Sequence, residues 1–155
     1  MVSSIAAGNY VNGVSSFGYF RGVSKGIAPH ARFAIYKVMW NEGIDSSDVL
    51  AGIDQAISDG VDVISVSFHD KALPLYNNSI PIASFAAMEK GILVVCSAGN
   101  EGSTIGTIRN GFPWVLTVAA GTTNGWFPGT LTLENGLNFI GWSLFPRNTS
   151  LKICL

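Results

Sequence analysis

Charge is what this sequence has least of. Only 12% of its 155 residues are Asp, Glu, Lys or Arg, about half the roughly 25% usual in soluble domains. Nine basic residues against ten acidic ones leave a formal net charge of −1, so no electrostatic footprint points to nucleic acid or an anionic membrane surface. Cysteine is scarce too: Cys96 and Cys154 lie far apart and outside any CxxC pair, which argues against a zinc site. No apolar run approaches the ~20 residues of a spanning helix. The opening MVSSIAAG has neither a basic region nor a long apolar core, and no signal peptide is expected there. Neither GxGxxG nor GxxxxGK[ST] occurs, which sets a nucleotide-binding α/β domain aside.

What is present is apolar: 48% hydrophobic residues, with 18 glycines and 4 tryptophans. The length suffices for one domain with a real core. So many apolar and so few charged residues fit the inside of something larger better than a free-standing domain, and that is the expectation. Asn77-Asn78-Ser79 and Asn148-Thr149-Ser150 match the glycosylation sequon, which matters only in a secretory context.

Along the chain, a short helix precedes Gly8, and the glycine-punctuated stretch 8–29 reads as surface loop or hairpin. Ala31 to Met39 reads as a strand. Asp45-Ser46-Ser47-Asp48 offers an N-cap, Val49, Leu50, Ile53, Ala56 and Ile57 share one helical face, and Gly60 ends the helix. Val61 to Ser67 is a short β-branched strand. Ser79 is placed to cap a second helix, with Pro81 in its first turn, Gly91 past its end, and Ile82, Phe85, Ala86 and Met88–Glu89 on a partly apolar face. Ile92 to Cys96 is apolar on both faces, as in a covered parallel strand. Trp114 to Ala119 reads as a further strand, and 126–142 as a hairpin turning at Glu134-Asn135-Gly136. The alternation predicts an α/β fold: a parallel sheet with helices on both faces, right-handed crossovers and a C-terminal β-hairpin.

In such sheets ligands bind beyond the carboxyl ends of the strands. Two segments lie there, Ser67-Phe68-His69 and Ser97-Ala98-Gly99-Asn100. An asparagine amide is neither a nucleophile nor a useful base, but its NH2 can donate to an oxyanion forming at a carbonyl. Flanking glycines would let a substrate backbone approach. Asn100 equally suits a turn that needs a left-handed residue. Gly22-Val23-Ser24-Lys25-Gly26 has the GxSxG spacing of a nucleophile elbow but lacks the strand before and the helix after. His30 has no neighbouring carboxylate, and His69 has only the adjacent Asp70, which is poorly placed to orient a catalytic ring. Cys96 reads as a small buried hydrophobe.

Longer stretches go further. SSIAAGNYV, KGIAPHARFAIYKVMW, SDVLAGIDQAISDGVDVISVS, IASFAAMEKGILVVCSAGNEG, PWVLTVAAGT and GTLTLENGLNFIGWSLFP follow one another in the order found in the catalytic domain of subtilisin-like serine proteases. The chain most resembles the cucumisin-like plant subtilases, from Ser3 to about Pro146. The resemblance implies a partial catalytic domain over 1–146, with a divergent tail, 147–155, near the expected start of a protease-associated insert. It implies serine-type endopeptidase function, with SAGN as the oxyanion-hole segment and Asn100 as donor. It makes Ser67, Phe68 and His69, opposite Ser97, Ala98 and Gly99, the walls that hold a peptide. The family commonly has glycine where His69 stands.

The same resemblance says what falls outside the chain. The family's Asp strand would lie upstream, its catalytic His would fall just before Met1, and its GTSMA-like nucleophile motif would lie downstream. An incomplete, inactive segment is therefore expected, the alternative being a non-catalytic relic that binds peptides or a propeptide. No cofactor is implied: many plant members do not depend on calcium, and no carboxylate cluster suggests a metal. The implied partner is a polypeptide substrate, with no role for nucleic acid or membrane. Family members act outside the cell, in the cell wall and apoplast.

Overall fold

The computed structural model describes residues 2–69, 74–122 and 128–142. These fall into two compact units, Arg32–Ala120 and the residues on either side, up to Ala31 and from Gly121.

In the flanking residues, α1 (Val2–Ala7) leads into the antiparallel pair β1 (Val11–Ser16) and β2 (Tyr19–Ser24). Phe17 (φ 51°) and Gly18 (φ 88°) make the two-residue turn between them. Two successive positive φ angles match the right-handed twist of a hairpin. After β2 the chain returns to α1: the N–H groups of Gly26, Ile27 and Ala28 donate to the carbonyls of Gly8, Ile5 and Ala6 at 2.8, 3.0 and 2.8 Å. Gly26 is required at this approach, since a Cβ there would overlap the backbone of Ala7 and Gly8. The other hairpin joins β8 (Pro128–Thr132) and β9 (Asn138–Trp142). Its turn is the predicted one: Leu133 N–H donates to Leu137 O at 2.9 Å, and Gly136 takes φ 80°. Residues 126–127 of the expected hairpin lie outside the described residues.

The unit Arg32–Ala120 holds the parallel sheet β5-β6-β7, from Val63–Val66, Leu93–Ser97 and Leu116–Val118. A small antiparallel pair, β3 (Met39–Trp40) and β4 (Gly43–Ile44), precedes α2 (Ser46–Ser58). Asp45 caps α2, accepting from Ser47 N–H, and Gly60 leaves the helix at φ 73°. Leaving the capping carboxyl ionised favours those bonds, and the Ser47 hydroxyl and N–H hold it below its ordinary value. Asn78, not Ser79, caps α3 (Ser79–Glu89), its side chain accepting from Ile80 N–H at 3.1 Å. Pro81 sits in the first turn, where its missing N–H had no helical partner.

Alternation along the strands divides the sheet into two faces. Ile64 and Val66 of β5 lie in register with Val94 and Cys96 of β6. These four are buried in one core cluster with Val49, Ile53 and Ala56 of α2 and Ile80, Ala83 and Ala87 of α3. Both helices therefore pack on the same face. The other face carries Val63, Leu93, Leu116 and Val118, each about half exposed. Helices were expected on both faces; within this unit the described residues cover one.

Two expectations need correction. Ala31 to Met39 forms no ladder before Met39. Its alternation is real, with Tyr36 and Val38 against the core and Ile35 outward, but no hydrogen-bonded neighbour lies alongside among the described residues. On α3 the anticipated face is the exposed one: Ile82, Phe85 and Met88 are 46, 42 and 38% exposed. The helix instead buries Ile80, Ala83, Ser84 and Ala87. Three of these are small, which lets the helix axis approach the sheet closely. Trp114 closes the other side, its ring edge-on to Phe85 with centroids 5.3 Å apart and its Nε1 donating to Ser84 Oγ at 3.0 Å.

Candidate active site

The sheet decides where chemistry can sit. β5 and β6 run parallel, and their ladder ends at Val66 opposite Cys96. Both chains emerge at one edge as the segments named from the sequence. Ser67 and His69 are exposed and Phe68 is half-buried, packed partly against the core. Across from them Ser97, Ala98 and Gly99 are half-buried and Asn100 is exposed. Ser97 still pairs with Val118 of β7, and Ala98 N–H donates to Val118 O at 2.9 Å. The backbone then turns at Gly99, with φ 91°. A side chain there would be strained and would also meet the Arg109 stem, so glycine is needed for two reasons.

Residues missed by the sequence reading organise this edge. The loop after Asn100 returns over β6, where Arg109 N–H donates to Ala98 O at 2.9 Å. The Arg109 guanidinium grips Glu101 with two bonds, Nη2 to Oε1 at 2.9 Å and Nε to Oε2 at 3.1 Å. Those bonds hold the Glu101 carboxyl below its ordinary 4.5, with the charges of Arg109 and then His69 adding to the effect.

Asn110 is buried, in a left-handed conformation with φ 53°. Its Nδ2 donates to two carbonyls at 3.0 Å each, Phe68 O on one wall and Ser97 O on the other. Its own carbonyl accepts from Thr117 Oγ1 at 2.6 Å. Nothing local announces this: Asn110-Gly111 reads as an ordinary turn dipeptide.

The remaining candidates do not gather here. Ser24 is the exposed last residue of β2, with no helix after it, which removes the nucleophile elbow. His30 tilts against Tyr10, centroids 6.1 Å apart, and Lys25 lies over that same ring at 5.3 Å. Asp70 lies outside the described residues. Cys96 is buried beneath the sheet, and burial pushes its thiol up to about 11, which keeps it protonated and inert. A shallow depression of about 420 Å³ lies at the opposite, amino ends of the strands, bordered by Gly60, Asp62, Lys90 and Gly91. Among the described residues no group of three or more His, Cys, Asp or Glu side chains could hold a metal ion, and no helix is long and apolar enough to cross a membrane.

Comparison with known proteins gives one consistent result. A model of the subtilase family matches residues 1–138. Subtilisin-like protease SBT3 of Solanum lycopersicum is 56% identical over 150 residues, covering 97% of this chain and 20% of the relative. Subtilisin-like proteases SBT1.9 and SBT1.7 of Arabidopsis thaliana are 52 and 50% identical, covering 94 and 92% of this chain and 21 and 19% of their own lengths. The chain spans about a fifth of the length of the curated relatives it matches.

Proposed function

The chain belongs to the subtilase family, and from that premise we propose that it supplies the substrate walls and the oxyanion donor of a subtilisin-like serine endopeptidase. One observation carries this reading: β5 and β6 end side by side, with Asn100 on the turn just beyond. A peptide lying in the cleft would run between Ser67-Phe68-His69 and Ser97-Ala98-Gly99. When a serine attacks the scissile carbonyl, negative charge develops on its oxygen, and the Asn100 NH2 is the donor for that charge. A neutral donor held by the sheet stabilises the transition state without taking a proton. The Arg109–Glu101 pair beside it holds the loop on which Asn100 rides.

On this reading Ser67, His69 and Ser97 line the walls and none of the described residues at this edge serves as the Asp, His or Ser of a triad, so the chain by itself is read as catalytically silent. On this reading residues 1–146 are part of the catalytic domain, 147–155 a divergent tail near a protease-associated insert, and the sheet part of a larger one with helices on its second face. The substrate is a polypeptide, a propeptide would occupy the same walls, and the site of action is the cell wall or apoplast. His69 stands where the family commonly has glycine, which implies an altered pocket or a shifted loop on that side; the alternative reading, a relic that binds peptides without cleaving them, rests on the missing triad.

Grafting residues 1–138 into the matching span of the tomato relative tests the reading. An active chimera is expected, and Asn100→Ala within it should lower kcat far more than it changes KM. An unchanged kcat would remove Asn100 from the oxyanion role, and a folded but inactive chimera would favour the relic. The isolated chain should not react with a fluorophosphonate probe; labelling of any serine would contradict its silence.

A further inference from the structure

The β5–β6 ladder stops at Val66 and Cys96, yet the walls proposed to hold a peptide begin at the next residues. Something other than strand pairing must set their separation. The geometry points to Asn110 as the positioning residue that does so. This rests on the proposed role of the two walls as a peptide cleft, and extends it to how the cleft keeps its width.

Both hydrogens of one carboxamide are used, one on Phe68 O and one on Ser97 O, each at 3.0 Å. Two such bonds diverging from one nitrogen place their acceptors roughly 5 Å apart, close to the ~4.8 Å between paired strands. The amide therefore continues the spacing of the sheet past the end of its ladder. It can do so only if it is itself fixed. The side chain is buried, the Thr117 hydroxyl of β7 donates to the backbone carbonyl of Asn110, and the neighbouring Arg109 N–H ties the loop to Ala98. Phe68 and Ser97 are 42 and 13 residues from Asn110 in sequence, so the clip joins three segments that no local interaction connects. Asn100 lies three residues beyond Ser97 and takes its place from the wall the clip anchors.

Asparagine is also a residue that tolerates a positive φ, and that plainer role makes different predictions. Asn110→Gly keeps the backbone conformation and deletes the amide. Asn110→Asp keeps size and conformation but sets a carboxylate against two carbonyl oxygens. The full 155-residue chain, labelled with 13C and 15N, would be read by the carbonyl shifts of Phe68 and Ser97 and by amide exchange from Ser97 to Gly102. Acetylated tetrapeptide amides with apolar, basic, acidic and amide last residues would then be titrated in. We expect both variants to shift the two carbonyls, speed exchange through Asn100, and weaken peptide binding roughly tenfold, the loss of order of one or two ordinary hydrogen bonds. Core signals at Ile80 and Val94 should hold still.

If Asn110→Gly leaves the wall signals and the exchange at their original values, the clip is refuted and the turn role is sufficient. If the walls move but the unaltered chain binds none of the peptides, the clip stands and the peptide-cleft reading is what fails. Should neither variant fold, Thr117→Val decides. It releases the Asn110 carbonyl while keeping the amide, and should move the same wall signals in the same direction by less; unmoved walls there overturn the proposal.

Discussion

The two parts of this chain keep their shape by different means. Of the buried core hydrophobics among the described residues, all but Ala7 belong to Arg32–Ala120. The flanking hairpins are built from turn chemistry and cross-strand bonds, and they leave large side chains in water: Phe17 is 71% exposed, Ile140 70% and Trp142 82%. The central unit has turns of its own, at Gly43, Gly60 and Gly91 among others, and adds a shared core. Local geometry is enough to shape a hairpin, whereas a parallel sheet exists only if its crossover helix packs. The candidate site lies in the unit that owns the core, where wall positions can be held rigidly.

The sharpest way to break that contrast is Ile80→Ala. The side chain is fully buried between α3 and the sheet, and its loss should cost about 2–5 kcal/mol. Urea unfolding followed by tryptophan fluorescence should show a large fall in midpoint for the Trp114 environment. A small fall would mean that the shared core matters less than its burial suggests.

Gly26→Ala attacks the flanking residues at a tight backbone approach. The added methyl overlaps Gly8 and Ala7, and relieving it should cost about 1–3 kcal/mol. Amide exchange at Gly26, Ile27 and Ala28 should accelerate, while exchange in β6 is unchanged. Acceleration in β6 as well would show that the two parts unfold as one.

Trp142→Ser should do little despite removing the largest side chain of β9. At 82% exposure a surface substitution is expected to stay within about 0.5 kcal/mol. Its more visible effect should be improved solubility, read by light scattering. A marked loss of stability would mean that the ring is covered.

The smallest effect is confined to one loop. Glu101 has a lowered carboxyl in the folded chain, so its bond to Arg109 contributes stability above the ordinary value of 4.5. That contribution is lost as pH falls through the lower folded value. Between pH 6 and pH 3, NMR signals of Gly99 to Arg109 should move while those of Val94 do not. Partial exposure of both partners, 32% for Arg109 and 42% for Glu101, keeps the effect local.

How much could be read in advance varies from element to element. α2 was legible almost whole, because Asp45, the Val49–Ile53–Ala56 stripe and Gly60 are all signals within one helix. α3 was legible as a helix but not as to which side it buries. Apolar residues surround it, so no stripe stands out, and small residues win the buried side because they allow close approach. Ala31 to Met39 has a strand's alternation, but a ladder needs a neighbour and alternation does not supply one. At the site, the two wall segments could be placed from the strand–helix order alone. Asn110 could not, since its partners are set by the parallel crossover and not by its neighbours in the chain.

What the sequence determined by itself is therefore the set of elements and their ends: caps, turn glycines and hairpin turns, each fixed by groups a few residues apart. The resemblance to the subtilases is what singled out SAGN for the proposed oxyanion donor. Only the tertiary structure decided which face of α3 meets the sheet, that α2 and α3 share one side of it, and that one asparagine amide spans the two walls. These depend on atoms far apart in sequence, brought to hydrogen-bonding distance only when a parallel sheet has folded around a core.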